Sequence, residues 1–193
     1  MTETLIEQEK TQNSLLGFWI YLLTDLIMFA GLFATYAVLR NNSFGGPTED
    51  VIFNLPFVLI ETFILLTSSF TCGLASIAIF QNNIKKVLLW FSVTFILGAS
   101  FLILELTEFR RLIADGNGPQ RSAFLSSYFG LVGTHGLHIT VGLLWMVVSI
   151  IIVARRGLSP KTSSQLQRLV LFWHFLDLVW IFIFTIVYLM GVM

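Results

Sequence analysis

The sequence predicts an all-α membrane protein, a bundle of five transmembrane helices. Hydrophobic residues make up 56% of the 193 residues and charged residues only 11%, which is not the composition of a soluble globular domain. In addition, five segments each contain roughly 20 mainly apolar residues, the length that crosses a bilayer as an α-helix. Five such segments in so short a chain leave no polar layer that could cover them in water.

The predicted spans cover residues 15–39, 55–80, 87–109, 124–154 and 169–193. The segments between them gather the Asn, Gly, Pro, Lys and Arg residues typical of loops. Residues 1–14 are polar and lack the basic start and small-residue cleavage site of a signal peptide. We therefore expect a polar cytoplasmic tail, residues 1–14, followed by one transmembrane domain, residues 15–193, whose first span is retained.

Basic residues predict the orientation, because Lys and Arg accumulate in cytoplasmic loops. With five spans, the N-terminal tail shares one side with the second and fourth loops. That side carries Lys10, Lys85, Lys86, Arg155, Arg156, Lys161 and Arg168. The other side carries Arg40, Arg110, Arg111 and Arg121. The N-terminus is therefore expected in the cytoplasm and the C-terminus in the periplasm.

Charge and cysteine content exclude several classes of function. The 11 basic and 11 acidic residues balance, so no nucleic-acid-binding surface is expected. Cys72 is the single cysteine, so the chain alone can form neither a disulfide nor a cysteine-based metal cluster. A buried, inert thiol is the favoured interpretation.

Ionisable residues inside the spans are the candidate buried functional or structural residues, because such groups are costly in a membrane and tend to face a partner. They are Asp25, Glu61, Glu105, Glu108, His135, His138, His174 and Asp177. With a rise of about 1.5 Å per residue, the three glutamates lie toward the outer side, within reach of Arg110, Arg111 or headgroup water. Asp25, His174 and Asp177 lie in the cytoplasmic half, and His135 and His138 lie near the middle.

The three histidines raise the hypothesis of a metal or haem site. His135 and His138 share one face of a helix, but the depth arithmetic places His174 about 15 Å away from them along the membrane normal. Hydrogen-bonded structural histidines are therefore favoured.

Asp25, His174 and Asp177 raise a second hypothesis, a proton relay. The alternative is an interhelical clamp, in which the polar pair His174 and Asp177 holds the bundle together near Asp25. The residues favour the clamp, because a relay needs polar groups at all depths.

Glycines and tryptophans suggest packing roles. Gly130, Gly133, Gly136 and Gly142 in the fourth span, and the stretch TSSFTCGLAS in the second, would let helices approach closely. Trp19, Trp90 and Trp173 are predicted to form part of an aromatic belt at the membrane interface.

Three quoted stretches resemble subunit III of the haem–copper terminal oxidases: GFWIYLLTDLIMFAGLFATYAVL, FGLVGTHGLHITVGLLW and FWHFLDLVWIFIFTIVYLMG. The resemblance runs from Gly17 to Gly191, and the signatures THGLH and WHFLDLVW carry most of its specificity. Five spans are similar to the shortened bacterial form. The loops NNSFGGPTEDVIFNLPFVLIETF and GNGPQRSAFLS are most similar to the cytochrome o ubiquinol oxidase branch.

The resemblance implies a non-catalytic accessory subunit in the inner membrane of a bacterium. Its partners would be oxidase subunits I, II and IV and membrane lipids. The chain itself would hold no catalytic, cofactor or metal site, since the haems and copper lie in subunit I. The complex would oxidise ubiquinol, reduce dioxygen to water and pump protons, and subunit III would stabilise subunit I and sustain proton uptake.

The resemblance also places Asp25 at the family's buried carboxylate, known to react with carbodiimide, and implies phospholipid bound between helices. Two alternatives remain open. One is the same subunit in a bacterial cytochrome c oxidase. The other is an autonomous transporter or proton channel, which the odd number of spans and the lack of an inverted repeat disfavour.

Overall fold

The computed structural model describes residues 2–40 and 55–192, with side chains within residues 13–40 and 55–191. This part of the chain is helical, with α1 Thr2–Leu39, α2 Leu55–Phe80, α3 Ile84–Ala114, α4 Ala123–Arg156 and α5 Pro160–Ile183. A π-helical segment, Phe184–Leu189, follows α5 directly, and a last turn, α6, covers Met190–Val192. Among the described residues, five helices are long and apolar enough to cross a membrane. The predicted fold class is confirmed.

Helix bounds differ from the predicted spans mainly at polar ends. The predicted span 55–80 coincides with α2, whereas α5 begins nine residues before the predicted position 169. Hydropathy detects the apolar part of a helix, but the backbone stays helical through polar residues at its ends. For the same reason α1 begins at Thr2, without a break at the expected boundary between tail and span. The predicted loop at residues 41–54 lies outside the described part of the chain.

Side-chain caps explain where three helices begin. The side chains of Asn83, Ser122 and Ser159 accept hydrogen bonds from backbone N–H groups three residues later, at 3.1–3.2 Å. Each cap satisfies one of the donors that a helix start leaves unpaired. At the other end of α4, Gly157 adopts a positive φ of 71° and its N–H donates to the carbonyl of Val153. Only glycine takes this conformation without steric cost.

Helices α2, α3, α4 and α5 form a ring, and α1 lies outside it. Contacts join α2 to α3, α3 to α4, α4 to α5 and α5 back to α2, whereas α1 packs against α4 and α5. We call α2–α5 the four-helix ring. Its interior buries large aromatic side chains, including Phe101, Tyr128, Trp173, Trp180 and Tyr188. Large apolar side chains also cover the outside of the bundle, as expected for a surface that faces lipid or a partner subunit.

Trp173 fills the space that two glycines leave inside the ring. A Cβ atom at Gly98 would lie 2.6 Å from its ring, and one at Gly142 would lie 3.2 Å from it. The indole Nε1 donates a 3.1 Å hydrogen bond to the Ser68 hydroxyl. Trp173 is only 1% exposed, so its predicted place in the interfacial belt is wrong. Close approach of helices at glycine, rather than anchoring at the interface, determines its position.

Candidate functional site

Hydroxyl groups of α2 form a hydrogen-bonded seam with α5. Thr62 accepts from Trp180 Nε1 at 3.0 Å, Ser68 accepts from Trp173, and Ser69 Oγ lies 2.7 Å from His174 Nδ1. Thr62 and Ser69 are seven residues apart and so lie on the same face of α2, while Ser68 lies at the edge of that face, beside Ser69. On the neighbouring face, Thr71 Oγ1 lies 2.8 Å from Thr94 Oγ1 of α3. The small, weakly polar strip of α2 is therefore an interhelical hydrogen-bonding surface.

Beyond Thr62 the ring interior contains what we call the acid cluster: Glu61, Glu105, Glu108, Tyr128, His135 and Tyr188. Its members come from α2, α3 and α4, with Tyr188 supplied by the π-helical segment that follows α5. The hydroxyls of Tyr128 and Tyr188 lie 2.9 Å apart, and Tyr188 donates to Glu108 Oε2 at 3.4 Å. A π-helical turn often marks a functional position in a helix.

His135 lies at the centre of an aromatic cage. Its ring stacks on Trp180 with a centroid distance of 5.3 Å and meets Phe29 and Phe101 edge-on. The residue is fully buried, and neither ring nitrogen has a hydrogen-bond partner in the described structure. The predicted hydrogen bonds of a structural histidine are therefore not found here. The aromatic contacts hold the ring in place, but they do not satisfy its nitrogens.

The placement of the glutamates corrects the sequence-based expectation. They were predicted to lie within reach of Arg110, Arg111 or headgroup water. Glu61, Glu105 and Glu108 are instead only 0%, 2% and 8% exposed, although Glu108 is attracted by the charge of Arg111. Both carboxyl oxygens of Glu61 and of Glu105 lack a hydrogen-bond partner among the described residues. Depth along the membrane normal does not report the face of the helix, and here all three side chains point into the ring.

Asp25 and His138 form a pair between α1 and α4, with 3.7 Å between Asp25 Oδ2 and His138 Nε2. The two side chains are 12% and 13% exposed. On the other side of the imidazole, His138 Nδ1 lies 2.8 Å from the carbonyl oxygen of Thr134. Because a carbonyl only accepts, Nδ1 carries the proton, and Nε2 is left to face the carboxyl group.

His174 links α5 to α2 through Ser69, so the interhelical contact expected of the His174 and Asp177 pair is found, but on α2 and not beside Asp25, which pairs with His138. His174 and Asp177 line a groove of about 470 Å³ between α2 and α5, with Ser69 on the opposite wall. His174 is exposed, and Asp177 is 9% exposed with Oδ1 unpaired. The described residues contain no hydrogen bond from the His174 ring to Asp177. The ring pairs with Ser69 instead, so the two residues do not form a catalytic dyad.

The eight candidates therefore fall into three separate places: the acid cluster, the Asp25–His138 pair, and the groove with His174 and Asp177. His174 does not join the other histidines. Within residues 13–40 and 55–191, no group of three His, Cys, Asp or Glu side chains is arranged to hold a metal ion. Sequence reasoning missed Tyr128, Tyr188 and Ser69. These three residues lie far along the chain from the side chains that their hydroxyl groups contact, and no pattern in the sequence indicates that their hydroxyl groups face them.

Comparison with known proteins assigns the fold to a family. Residues 7–192 match the family described as Cytochrome c oxidase subunit III. The Cytochrome bo(3) ubiquinol oxidase subunit 3 of Pseudomonas putida is 53% identical over 94% of this chain and 88% of its own. The protein of the same name from Pseudomonas aeruginosa is 54% identical over 93% of this chain and 86% of its own.

A third relative has a different name. The Cytochrome c oxidase subunit 3 of Bacillus sp. strain PS3 is 44% identical over 93% of this chain and 87% of its own. The family match covers nearly the whole chain, including every residue of the acid cluster and of the two other polar sites. This multi-pass membrane protein belongs to the cytochrome c oxidase subunit III family.

Proposed function

We propose that this chain is the accessory subunit III of a proton-pumping terminal oxidase that oxidises ubiquinol and reduces dioxygen to water. The observation that carries the proposal is the 53% identity, along 94% of the chain, with a subunit named for a ubiquinol oxidase. In this proposal subunit III is non-catalytic, stabilises subunit I and supports sustained proton uptake. The haems and copper belong to subunit I.

The partners are oxidase subunits I, II and IV, together with membrane lipids. Support comes from the outer surface of the bundle, where side chains such as Ile27, Val38, Phe70 and Phe80 are 68–75% exposed in the chain alone. Such a surface is suited to lipid or to a partner helix. The location is the bacterial inner membrane, with the N-terminus in the cytoplasm, supported by the excess of basic residues on that side.

The Asp25–His138 pair is the site that we assign to the supporting role. The carboxyl group of Asp25 and the imidazole of His138 lie 3.7 Å apart. Two polar groups that face each other are less costly between membrane helices than either group alone. In the proposed role the pair holds α1 against α4 and keeps a proton available near the bundle surface.

Purification of the intact complex tests the function. The tagged chain should bring down a haem-bearing partner, and the complex should oxidise ubiquinol in preference to cytochrome c. The full chain expressed alone should show no haem absorbance. The relative named Cytochrome c oxidase subunit 3 makes cytochrome c the second candidate donor. Faster turnover with cytochrome c would select that candidate, and a haem spectrum from the chain alone would reject the accessory role.

Substitution of Asp25 tests the site. Asp25→Asn keeps the shape but removes the acidic proton, so we expect unchanged haem content, unchanged initial turnover, and faster loss of activity during prolonged turnover. The measurement is oxygen consumption over successive substrate additions. Asp115→Asn, at a side chain 60% exposed outside the bundle, is the matched control and should behave as wild type. Complete loss of activity from the first turnover would instead make Asp25 an obligatory relay.

A further inference from the structure

The acid cluster contains more buried hydrogen-bonding groups than the protein itself satisfies. Glu61, Glu105 and His135 together present six polar atoms that have no hydrogen-bond partner in the described structure. All three residues are at least 98% buried. A buried polar group without a partner is destabilising, and more so if it is charged, so six such atoms inside the ring are not compatible with a dry, closed interior.

The cluster also contains more acidic groups than opposing charges. The carboxyl groups of Glu61, Glu105 and Glu108 repel one another. The remaining neighbours are the hydroxyls of Tyr128 on α4 and Tyr188 in the π-helical segment, the His135 ring, and Arg111. Arg111 attracts Glu108 from a side chain that is itself 74% exposed. Three carboxylates in this volume would repel one another, and the described residues supply no buried Lys or Arg to offset that repulsion.

A crevice leads from the outside of the bundle to the cluster. It has a volume of about 310 Å³ between α3 and α4, apolar walls that include Leu102, Phe109 and Val141, and the carboxyl group of Glu105 as its polar floor. Two glycines keep it open. A Cβ atom at Gly136 would lie 2.9 Å from Glu105 Oε1, while one at Gly133 would have ordinary contact at 3.7 Å with Phe109.

This opening is large enough for water, and although its walls are apolar, the Glu105 carboxyl group at its floor is polar. A buried water requires a space of roughly 10–15 Å³ by this kind of measure and two to four polar partners, and the crevice exceeds the first requirement many times. At the crevice itself, the two carboxyl oxygens of Glu105 that have no partner in the described structure supply the second. Water can donate to an ionised carboxylate and accept from a protonated one, so it fits either state of these groups.

We propose that the acid cluster is a binding site for water and exchangeable protons, filled through the crevice between α3 and α4. Glu105 is the group at the mouth of the site, and Glu61 and His135 lie deeper in the ring. The site is separate from the Asp25–His138 pair, which lies between α1 and α4. Its ligand class is water together with the protons that its carboxyl groups hold.

Infrared spectroscopy of the purified oxidase complex tests this site directly. The C=O stretching band of protonated carboxyl groups shifts when their protons exchange for deuterons. We expect part of this band to shift within minutes in D2O, and Glu105→Gln to remove that component. A Glu105 band that keeps its H2O position after prolonged incubation in D2O would overturn the proposal.

Two glycine variants separate access through the crevice from general loosening of the bundle. Gly133→Leu places a side chain in the crevice and should slow the exchange by on the order of tenfold, because exchange then requires local opening of the helices. Gly130→Leu adds the same side chain one turn away, where no atom lies within 4 Å of a Cβ, and should leave the rate unchanged. Equal rates in the two variants would overturn the crevice as the route.

The glycine pair also covers the case in which Glu105→Gln does not assemble, since both glycine variants keep every carboxyl group. Ubiquinol oxidation by the same samples is recorded separately. Failure of the proposed oxidase function would appear there and would leave the exchange result standing, whereas failure of the water site would appear only in the infrared bands.

Discussion

The two ends of the α2–α5 seam place polar side chains in the membrane in different ways. At the end that contains Ser68, Ser69 and Thr71, every one of these hydroxyls has a partner. At the other end, beyond Thr62, the carboxyl groups of Glu61 and Glu105 have none in the described structure. The same helix, α2, contributes to both ends, so the difference arises from the chemistry of the side chains rather than from the fold.

A hydroxyl both donates and accepts, and this explains the first end. The Thr62 hydroxyl donates to the carbonyl of Val58 at 2.8 Å and accepts from Trp180 Nε1. Ser68 does the same with Leu65 and Trp173. The helix backbone therefore supplies one partner and the neighbouring helix the other. An ionised carboxylate only accepts, so neighbouring carboxylates cannot satisfy one another without protons or water.

The satisfied end should be the more sensitive to substitution. Trp173→Ala empties the space between Gly98 and Gly142 and removes the bond to Ser68, and buried Trp→Ala changes destabilise by about 3–5 kcal/mol. Cys72, the single cysteine, is fully buried nearby in α2, so its rate of modification by a maleimide in the full-length chain reports opening of the ring. We expect the rate to rise by about 100-fold to several thousandfold, at 1.4 kcal/mol for each factor of ten.

Trp19→Ala is the matched control for this prediction. It removes the same side chain from α1, where Trp19 is 48% exposed, and should change the Cys72 modification rate by less than about threefold, as expected of surface changes. Similar rates for the two tryptophan variants would show that the interior of the ring does not control stability at this end.

A smaller effect is expected when one methyl group is added at the same place. Gly98→Ala brings a Cβ atom to 2.6 Å from the Trp173 ring, and overpacking of this kind costs about 1–3 kcal/mol. The Cys72 modification rate should rise by roughly tenfold. Gly31→Ala, in α1 with no atom within 4 Å of the new Cβ, should leave the rate unchanged or lower it. If Gly98→Ala also left it unchanged, the contact with Trp173 would not restrict the helices.

Much of this fold was predictable because a membrane-spanning helix can be identified from the length of an apolar segment. Five apolar segments of the right length gave the helices, and the ionisable residues within them gave the candidates. The spacing of residues in α3 also indicates which face of the helix is buried. Positions that recur at intervals of three and four all face the interior of the ring: Gly98, Phe101, Glu105, Glu108 and Leu112. That periodicity would have placed both glutamates of α3 inside the bundle, where depth alone placed them near water.

Pairing between helices was not predictable in the same way. Nothing in a single sequence states that α1 packs on α4, so Asp25 was expected beside His174 and Asp177 instead of beside His138. The rotation of each helix about its axis and the order of the helices in the bundle are determined by contacts between distant segments. The π-helical segment that brings Tyr188 to Glu108 is a further case, because it depends on packing against the other helices and not on local propensity.

Two neighbouring residues of α2 offer the finest test of the comparison. Thr62→Val keeps the shape but leaves the buried Trp180 Nε1–H without its acceptor, which should cost about 1 kcal/mol and raise the Cys72 modification rate by roughly fivefold. Glu61→Gln is equally close in shape and breaks no hydrogen bond to the described protein. Because an amide can still bind water, we expect a change of less than about twofold. A larger effect of Glu61→Gln than of Thr62→Val would mean that the carboxyl group holds the ring together, and that the two ends differ in function but not in their contribution to stability.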